Sequence, residues 1–118
     1  MEKLNEGIWI VDQDEKTTFV NTRMAEMLEA SPEDLIGRST LDIIHPSYHE
    51  IIREKMKNRK SGLSERYEIP LVTAKNRQII AEISASPSFD PYGRYTGSFG
   101  VVTDITKRKE NEQKIRLY

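Results

Sequence analysis

The sequence predicts an α+β domain. Three observations carry that reading: two β-branched segments near the N-terminus separated by a polar turn, three alternating segments after residue 64, and capped helices between them. Ile8-Trp9-Ile10-Val11 ends at the turn formers Asp12 to Lys16, and Thr17-Thr18-Phe19-Val20 resumes β character, which predicts a hairpin. Asn21 stands where an N-cap belongs, and Met24, Met27 and Leu28 follow at helical spacing, so a short helix is expected from Asn21 to about Glu29. Ser31 caps a second helix, with Pro32 at its first position and Glu33 and Asp34 facing the positive end of its dipole, and Gly37 stops it.

Leu41, Ile43 and Ile44 form a further apolar cluster closed by His45-Pro46, because the residue before a proline is driven out of helical geometry. A longer helix is expected to open at Pro46 or Ser47 and end at Ser61-Gly62. Its pattern sends Ile51, Ile52 and Met56 inward and Arg53, Glu54, Lys57 and Arg59 outward. Tyr67, Ile69 and Leu71 then alternate with Glu68 and Pro70, and Pro70, lacking a donor, requires a free edge or a bulge. Asn76 in Lys75-Asn76-Arg77 suits a turn with positive φ. Ile79, Ala81, Ile83 and Ala85 alternate with Glu82, Ser84 and Ser86, Asp90-Pro91-Tyr92-Gly93 turns the chain, and Thr96 to Thr103 forms a fifth strand. Lys107 to Lys114 is a charged run of helix formers.

With 118 residues the chain has room for one core. A net charge of −1, from 18 basic and 19 acidic residues, supplies no field to gather nucleic acid phosphates or anionic lipid. No apolar run approaches the roughly 20 residues that cross a bilayer, so no membrane span or signal peptide is expected. The absence of cysteine excludes disulfides, thiolate nucleophiles and Cys-ligated metals, and fits a reducing, cytoplasmic setting. There is no Gly-rich phosphate loop and no histidine beside a plausible nucleophile, and the many carboxylates fall on helices and turns where they are expected to be solvated. The chain is therefore not expected to be an enzyme. Residues 1–106 are expected to form the domain and 107–118 the start of a C-terminal helix or linker.

Five segments together carry a family resemblance: Gly7-Ile8-Trp9-Ile10-Val11-Asp12, Phe19-Val20-Asn21, Ser31-Pro32-Glu33-Asp34-Leu35-Ile36-Gly37-Arg38, His45-Pro46 and Asp104-Ile105-Thr106-Lys107-Arg108. In order and spacing they resemble the PAS family over residues 6 to 108. The resemblance implies a five-stranded antiparallel sheet with short helices and one longer helix on one face, enclosing a space that holds a ligand in some members.

By that resemblance the interior and the ligand pocket comprise Trp9, Val11, Met24, Met27, Leu28, Ile36, Ile52, Met56, Tyr67, Ile69, Leu71, Ala81, Ile83, Gly100 and Val102, together with Leu35, Ile44, Ile79 and Ala85. Small residues at Ala81, Ala85 and Gly100 leave room for a compact apolar or amphipathic ligand. The preferred expectation is that Met24, Met27, Met56 and Trp9 fill the space. Arg38, Ser39 and Tyr67 are the polar candidates if a ligand is present. No cofactor is expected. The flavin-binding branch needs a cysteine where this chain has Gly37-Arg38-Ser39-Thr40, and its polar strand positions are here Leu71, Ala81 and Val102. Haem would need His49 as axial ligand. A metal site joining His45 and His49 with Asp42 or Glu50 lacks any known ligand spacing.

Ile8, Ile10, Phe99 and Val101 are expected on the opposite sheet face, where they form an apolar patch suited to a homodimer. Asp104, Ile105 and Thr106 resemble the junction that passes a signal from sheet to helix. Beyond them, Ile105, Glu112 and Ile115 are too few to define a coiled coil. The resemblance implies a sensory and dimerisation module joined to an effector domain, most simply in a sensor histidine kinase. The alternatives are an interaction module with a sealed core and a haem-based gas or redox sensor.

Overall fold

The computed structural model describes residues 5–116, with side chains through residue 113. Strands β1 (Gly7–Asp12) and β2 (Thr17–Val20) form the expected hairpin. Helices α1 (Thr22–Met27), α2 (Pro32–Leu35) and α3 (Thr40–Ile43) follow, and a single 3-10 turn, Pro46–Tyr48, leads into the longer α4 (His49–Lys60). Strands β3 (Glu65–Val72), β4 (Gln78–Phe89) and β5 (Tyr95–Asp104) precede α5 (Thr106–Arg116). All neighbouring strands are antiparallel and run in the order β2-β1-β5-β4-β3, so the first and last strands of the sequence meet at the centre.

The capping residues act as their chemistry dictates. Asn21 Oδ1 accepts from Met24 N at the start of α1 and from Ile8 N of β1, each at 2.9 Å, so one side chain joins helix to sheet. Ser31 Oγ accepts from Asp34 N, and Ser39 with Asp42 forms a reciprocal capping box on α3. α1 is shorter than expected because Leu28 leaves helical geometry and Glu29 takes φ 58°. The Glu29 carboxylate reaches the β3-β4 hairpin, where Arg77 and Thr73 donate to it and hold its pKa at about 2. Asn76 takes φ 61° in that hairpin, and Pro70 lies on the edge strand β3, where its missing donor costs the ladder least.

The core is one layer between the sheet and the helices, with Met24, Leu28, Ile44, Ile52, Ile69, Leu71 and Val102 fully enclosed. Three expectations about side-chain direction need correction. Ile51 is 48% exposed and Arg59 is 4% exposed, because the inward stripe of α4 runs Ile52, Met56, Arg59 at spacings of four and three. Ile36 is 48% exposed: Leu35 takes the inward position of the one-turn α2, and Ile36, its C-cap, is already extended at φ −62° and ψ 131°. α4 itself begins at His49, after the 3-10 turn has absorbed Pro46.

Gly97, opposite Asp12 on β5, has φ 142°, and a Cβ there would lie 2.1 Å from the Val11 carbonyl oxygen. The position is closed to every other residue by backbone conformation and by contact. Gly97→Ala should destabilise the domain by about 3 kcal/mol, read from chemical denaturation. A change below about 0.5 kcal/mol would mean that β1 and β5 do not approach as described.

Candidate functional site

Alternation along β1 and β5 places Trp9 opposite Gly100, and Gly7 opposite Val102, on the helix-covered face. Where α4 crosses this face, a cavity of about 30 Å³ remains, lined by Trp9, Val11, Thr40, Ile52, Arg59, Tyr67, Ile83, Ala85, Ser98, Phe99 and Gly100. Of the expected interior residues, Trp9, Val11, Ile52, Tyr67, Ile83, Ala85 and Gly100 border it. Met24, Met27, Leu28, Leu35, Ile44, Ile69, Leu71, Ala81 and Val102 are buried in the closed core, with Met56 and Ile79 half-buried against them. The space suffices for one or two waters. Arg38 is exposed and does not reach it, and Ser39 serves instead as the α3 cap.

One wall of the cavity is charged. Arg59 Nη2 donates to Glu15 Oε1 at 2.9 Å, Arg59 Nε donates to Ser98 Oγ at 2.8 Å, and Nη1 makes a long 3.4 Å contact with the Tyr67 hydroxyl. Tyr95 donates to Glu15 Oε2 at 2.9 Å and lies 2.5 Å from Ser98 Oγ, and Thr40 Oγ1 lies 3.4 Å from Glu15 Oε1. The Arg59 and Glu15 side chains are 5% and 8% exposed. Burial works against the Arg59 charge, but Tyr67 and Glu15 beside it outweigh burial and raise its pKa. Burial likewise raises the phenolic pKa values of Tyr67 and Tyr95. The cluster ties the β1-β2 turn, α3, α4, β3 and β5 to one another.

Sequence reading missed Arg59, Glu15, Thr40, Ser98 and Tyr95. Two of them were recoverable: Arg59 follows Ile52 by seven residues on a helical stripe, and Ser98 shares the β5 parity of Gly100 and Val102. Glu15 was not, because it points inward only through its left-handed φ of 62° inside a polar turn.

The histidines stand elsewhere. His49 Nε2 contacts the Ile44 carbonyl at 3.0 Å, and His45 Nδ1 accepts from Ser47 N at 3.2 Å. Both border a separate open groove with Asp42 and Arg77. Among the described residues no cluster of His, Asp or Glu has the arrangement of a metal site, and His49 does not border the cavity beside Arg59.

On the other sheet face, register places Phe19, Ile10 and Phe99 in one row across three strands and Ile8 beside Val101 in the next. Phe19 and Phe99 are 47% and 41% exposed. Phe19 extends the patch expected from the sequence, and Phe99 both belongs to this row and borders the cavity through the sheet.

At the end of β5, Ile105 is buried and donates its N–H to the Ile80 carbonyl. Asp104 Oδ1 accepts from Thr106 N at 3.0 Å and Thr106 Oγ1 at 2.6 Å, while Ile80 N donates to Thr106 Oγ1 at 2.9 Å. Past this junction, Lys109 and Arg108 of α5 pair with Glu68 of β3 at 2.8 and 3.5 Å, a contact that local sequence does not announce. The side chain of Ile115 lies outside the described residues.

Removing one member of the buried pair leaves the other charged and unpaired. Arg59→Met should therefore destabilise the domain by about 3–5 kcal/mol, whereas adding Glu15→Gln in the same chain should recover most of that loss. Urea denaturation of the single and double variants measures both, and an Arg59→Met variant as stable as the parent would show that the pair is not buried.

The arrangement has counterparts of known architecture. A PAS domain from Colwellia psychrerythraea superposes with TM-score 0.79 at 20% identity, covering 88% of this chain and 89% of that one. A PAS domain of a two-component sensor histidine kinase gives TM-score 0.71 at 17% identity over 86% of each chain. In sequence, the chain is 31% identical to sporulation kinase A of Bacillus subtilis over 83% of this chain and 16% of that kinase. It is 27% identical to the sensor protein kinase WalK of Staphylococcus haemolyticus over 98% of this chain and 18% of that one. The chain thus spans less than a fifth of either kinase. Among the described residues no helix is long and apolar enough to cross a membrane. The model of the PAS fold matches residues 1–105, and with its five-stranded antiparallel sheet the chain belongs to the PAS family of sensory modules.

Proposed function

We propose that the chain is the sensory and dimerisation module of a larger signal-transduction protein, a sensor histidine kinase, with residues 1–106 as sensor and 107–118 as the start of the helix leading to the effector domain. The observation that carries this reading is the two-sidedness of the sheet. The helix-covered side holds a cavity with a charged wall, and the outer side bears the Phe19, Ile10, Phe99, Ile8 and Val101 patch. An apolar patch continuous over three strands is stabilised by a partner of the same kind, and a second copy of the face supplies one by two-fold symmetry. The kinase relatives support an effector domain downstream, and this reading places the module in the cytoplasm.

Signal passage in this reading runs through Asp104, Ile105 and Thr106. β5 borders the cavity at Ser98 and Gly100, the outer face at Phe99 and Val101, and the helix start at Asp104. A shift of β5 therefore alters the dimer face and the Thr106 hydrogen bonds together. A second reading, a sealed interaction module that binds no ligand, is favoured by the small size of the cavity. Both readings share the dimer face.

Ile10→Glu or Val101→Glu should weaken self-association at least tenfold without unfolding the domain, since both side chains are only partly buried. Analytical ultracentrifugation over a concentration series checks this, with circular dichroism as the folding control. Parent and variants that all sediment as monomers would end the dimer reading.

A further inference from the structure

The charged wall of the cavity has a donor to spare and no net charge to offer. Arg59 is 4% exposed and borders the space. Ser98 and Glu15 engage Nε and Nη2 at 2.8 and 2.9 Å, but Nη1 has only the 3.4 Å contact with the Tyr67 hydroxyl, long for a guanidinium hydrogen bond. Arg59 and Tyr67 both border the cavity, and the wall facing them is formed by Trp9, Val11, Ile52 and Ile83. An acceptor oxygen mounted on something apolar matches Nη1 and the apolar wall opposite it.

Glu15 determines which acceptors are tolerated. Its carboxylate lies against the same guanidinium and is itself enclosed. A ligand carboxylate on Nη1 would place a second negative charge against a buried ion pair with one positive charge to share, which is unfavourable. A neutral acceptor carries no such penalty. A ligand cation would meet Arg59 instead.

We propose that the cavity takes small neutral molecules that present an acceptor oxygen to Arg59 and Tyr67 on a compact apolar body, and that Glu15 is the residue that excludes acids. The proposal rests on the sensory reading above and gives it a ligand class. At about 30 Å³ the space suits ligands of very few heavy atoms. Anything larger than one or two waters, acetamide included, enters by movement of Tyr67, which is only half-buried on the edge strand β3 and has Lys55 Nζ 5.2 Å from its ring centre.

Acetamide and acetate test this directly, having nearly the same shape and differing in charge. Trp9 is the sole tryptophan, borders the cavity and donates its indole N–H to Thr17 Oγ1 at 2.9 Å, so its single indole resonance in a ¹H–¹⁵N spectrum reports on the site. In the wild-type domain at matched ionic strength, acetamide should move that resonance saturably with millimolar affinity, and acetate should bind at least about tenfold more weakly. Glu15→Gln should reverse the order, and Ala85→Val, which occupies the space, should abolish the acetamide response. Acetate binding to the wild type as well as acetamide does, no saturable acetamide response, or an undiminished response in a folded Ala85→Val variant would each overturn the proposal. If Glu15→Gln does not fold, the two probes on the wild type still decide. Failure of the sensory and dimer reading registers separately, in the sedimentation of Ile10→Glu, which leaves the cavity untouched.

Discussion

The pairing of β1 with β5 is the constraint on which the rest of the molecule depends. These strands lie far apart in sequence and adjacent at the centre of the sheet, and their register, Trp9 on Gly100 and Ile10 on Phe99, assigns every neighbouring side chain to one face or the other. A slip of β1 by one residue against β5 would send Trp9 and Val11 to the outer face and bring Ile8 and Ile10 inside. Gly97 guards the register at one end, because only a residue without Cβ lets β5 approach the Val11 carbonyl. At the other end Asn21 fixes β1 through Ile8 N while starting α1. Strand pairing, helix placement and the sorting of the two faces are therefore one structural fact.

The buried Glu15 and Arg59 pair is the second organising element, and its cost explains its form. Two charges withdrawn from water are tolerated only when their hydrogen-bonding capacity is met. Thr40 of α3, Tyr67 of β3, and Ser98 and Tyr95 of β5 converge from three different elements to meet it. An apolar pair of similar volume would fill the same space at less cost in desolvation, but it would not join α4 to the β1-β2 turn by directional bonds or leave a polar end on an apolar cavity.

Most of the fold was legible because its signals are local and periodic. Caps at Asn21 and Ser31, the alternation from Ile79 to Ala85, Pro70 at an edge and Asn76 in a turn follow from the chemistry of single residues or short windows. Strand parity separated two sets of apolar residues, and the family resemblance said which set the helices cover. The polar half of the site was not. Glu15 turns inward through one left-handed residue, Tyr95 acts across 80 positions of sequence, and Arg59 was set on the solvent side because a charged residue in a helix is usually solvated. Ile36 failed for the opposite reason, since one turn of helix offers only one inward position and Leu35 holds it. Contacts such as Lys109 with Glu68 depend on where α5 leaves the sheet, which no local pattern encodes.

Hydroxyl-radical footprinting over a protein dilution series reads both faces at once: the one buried under the helices, and the one proposed above to be covered by a second copy. Trp9 should stay protected at every concentration, while Phe19 and Phe99 should be oxidised in dilute solution and become protected as the concentration rises. Oxidation of Trp9 at the rate of Phe99, or a Phe19 and Phe99 signal indifferent to concentration, would contradict this arrangement.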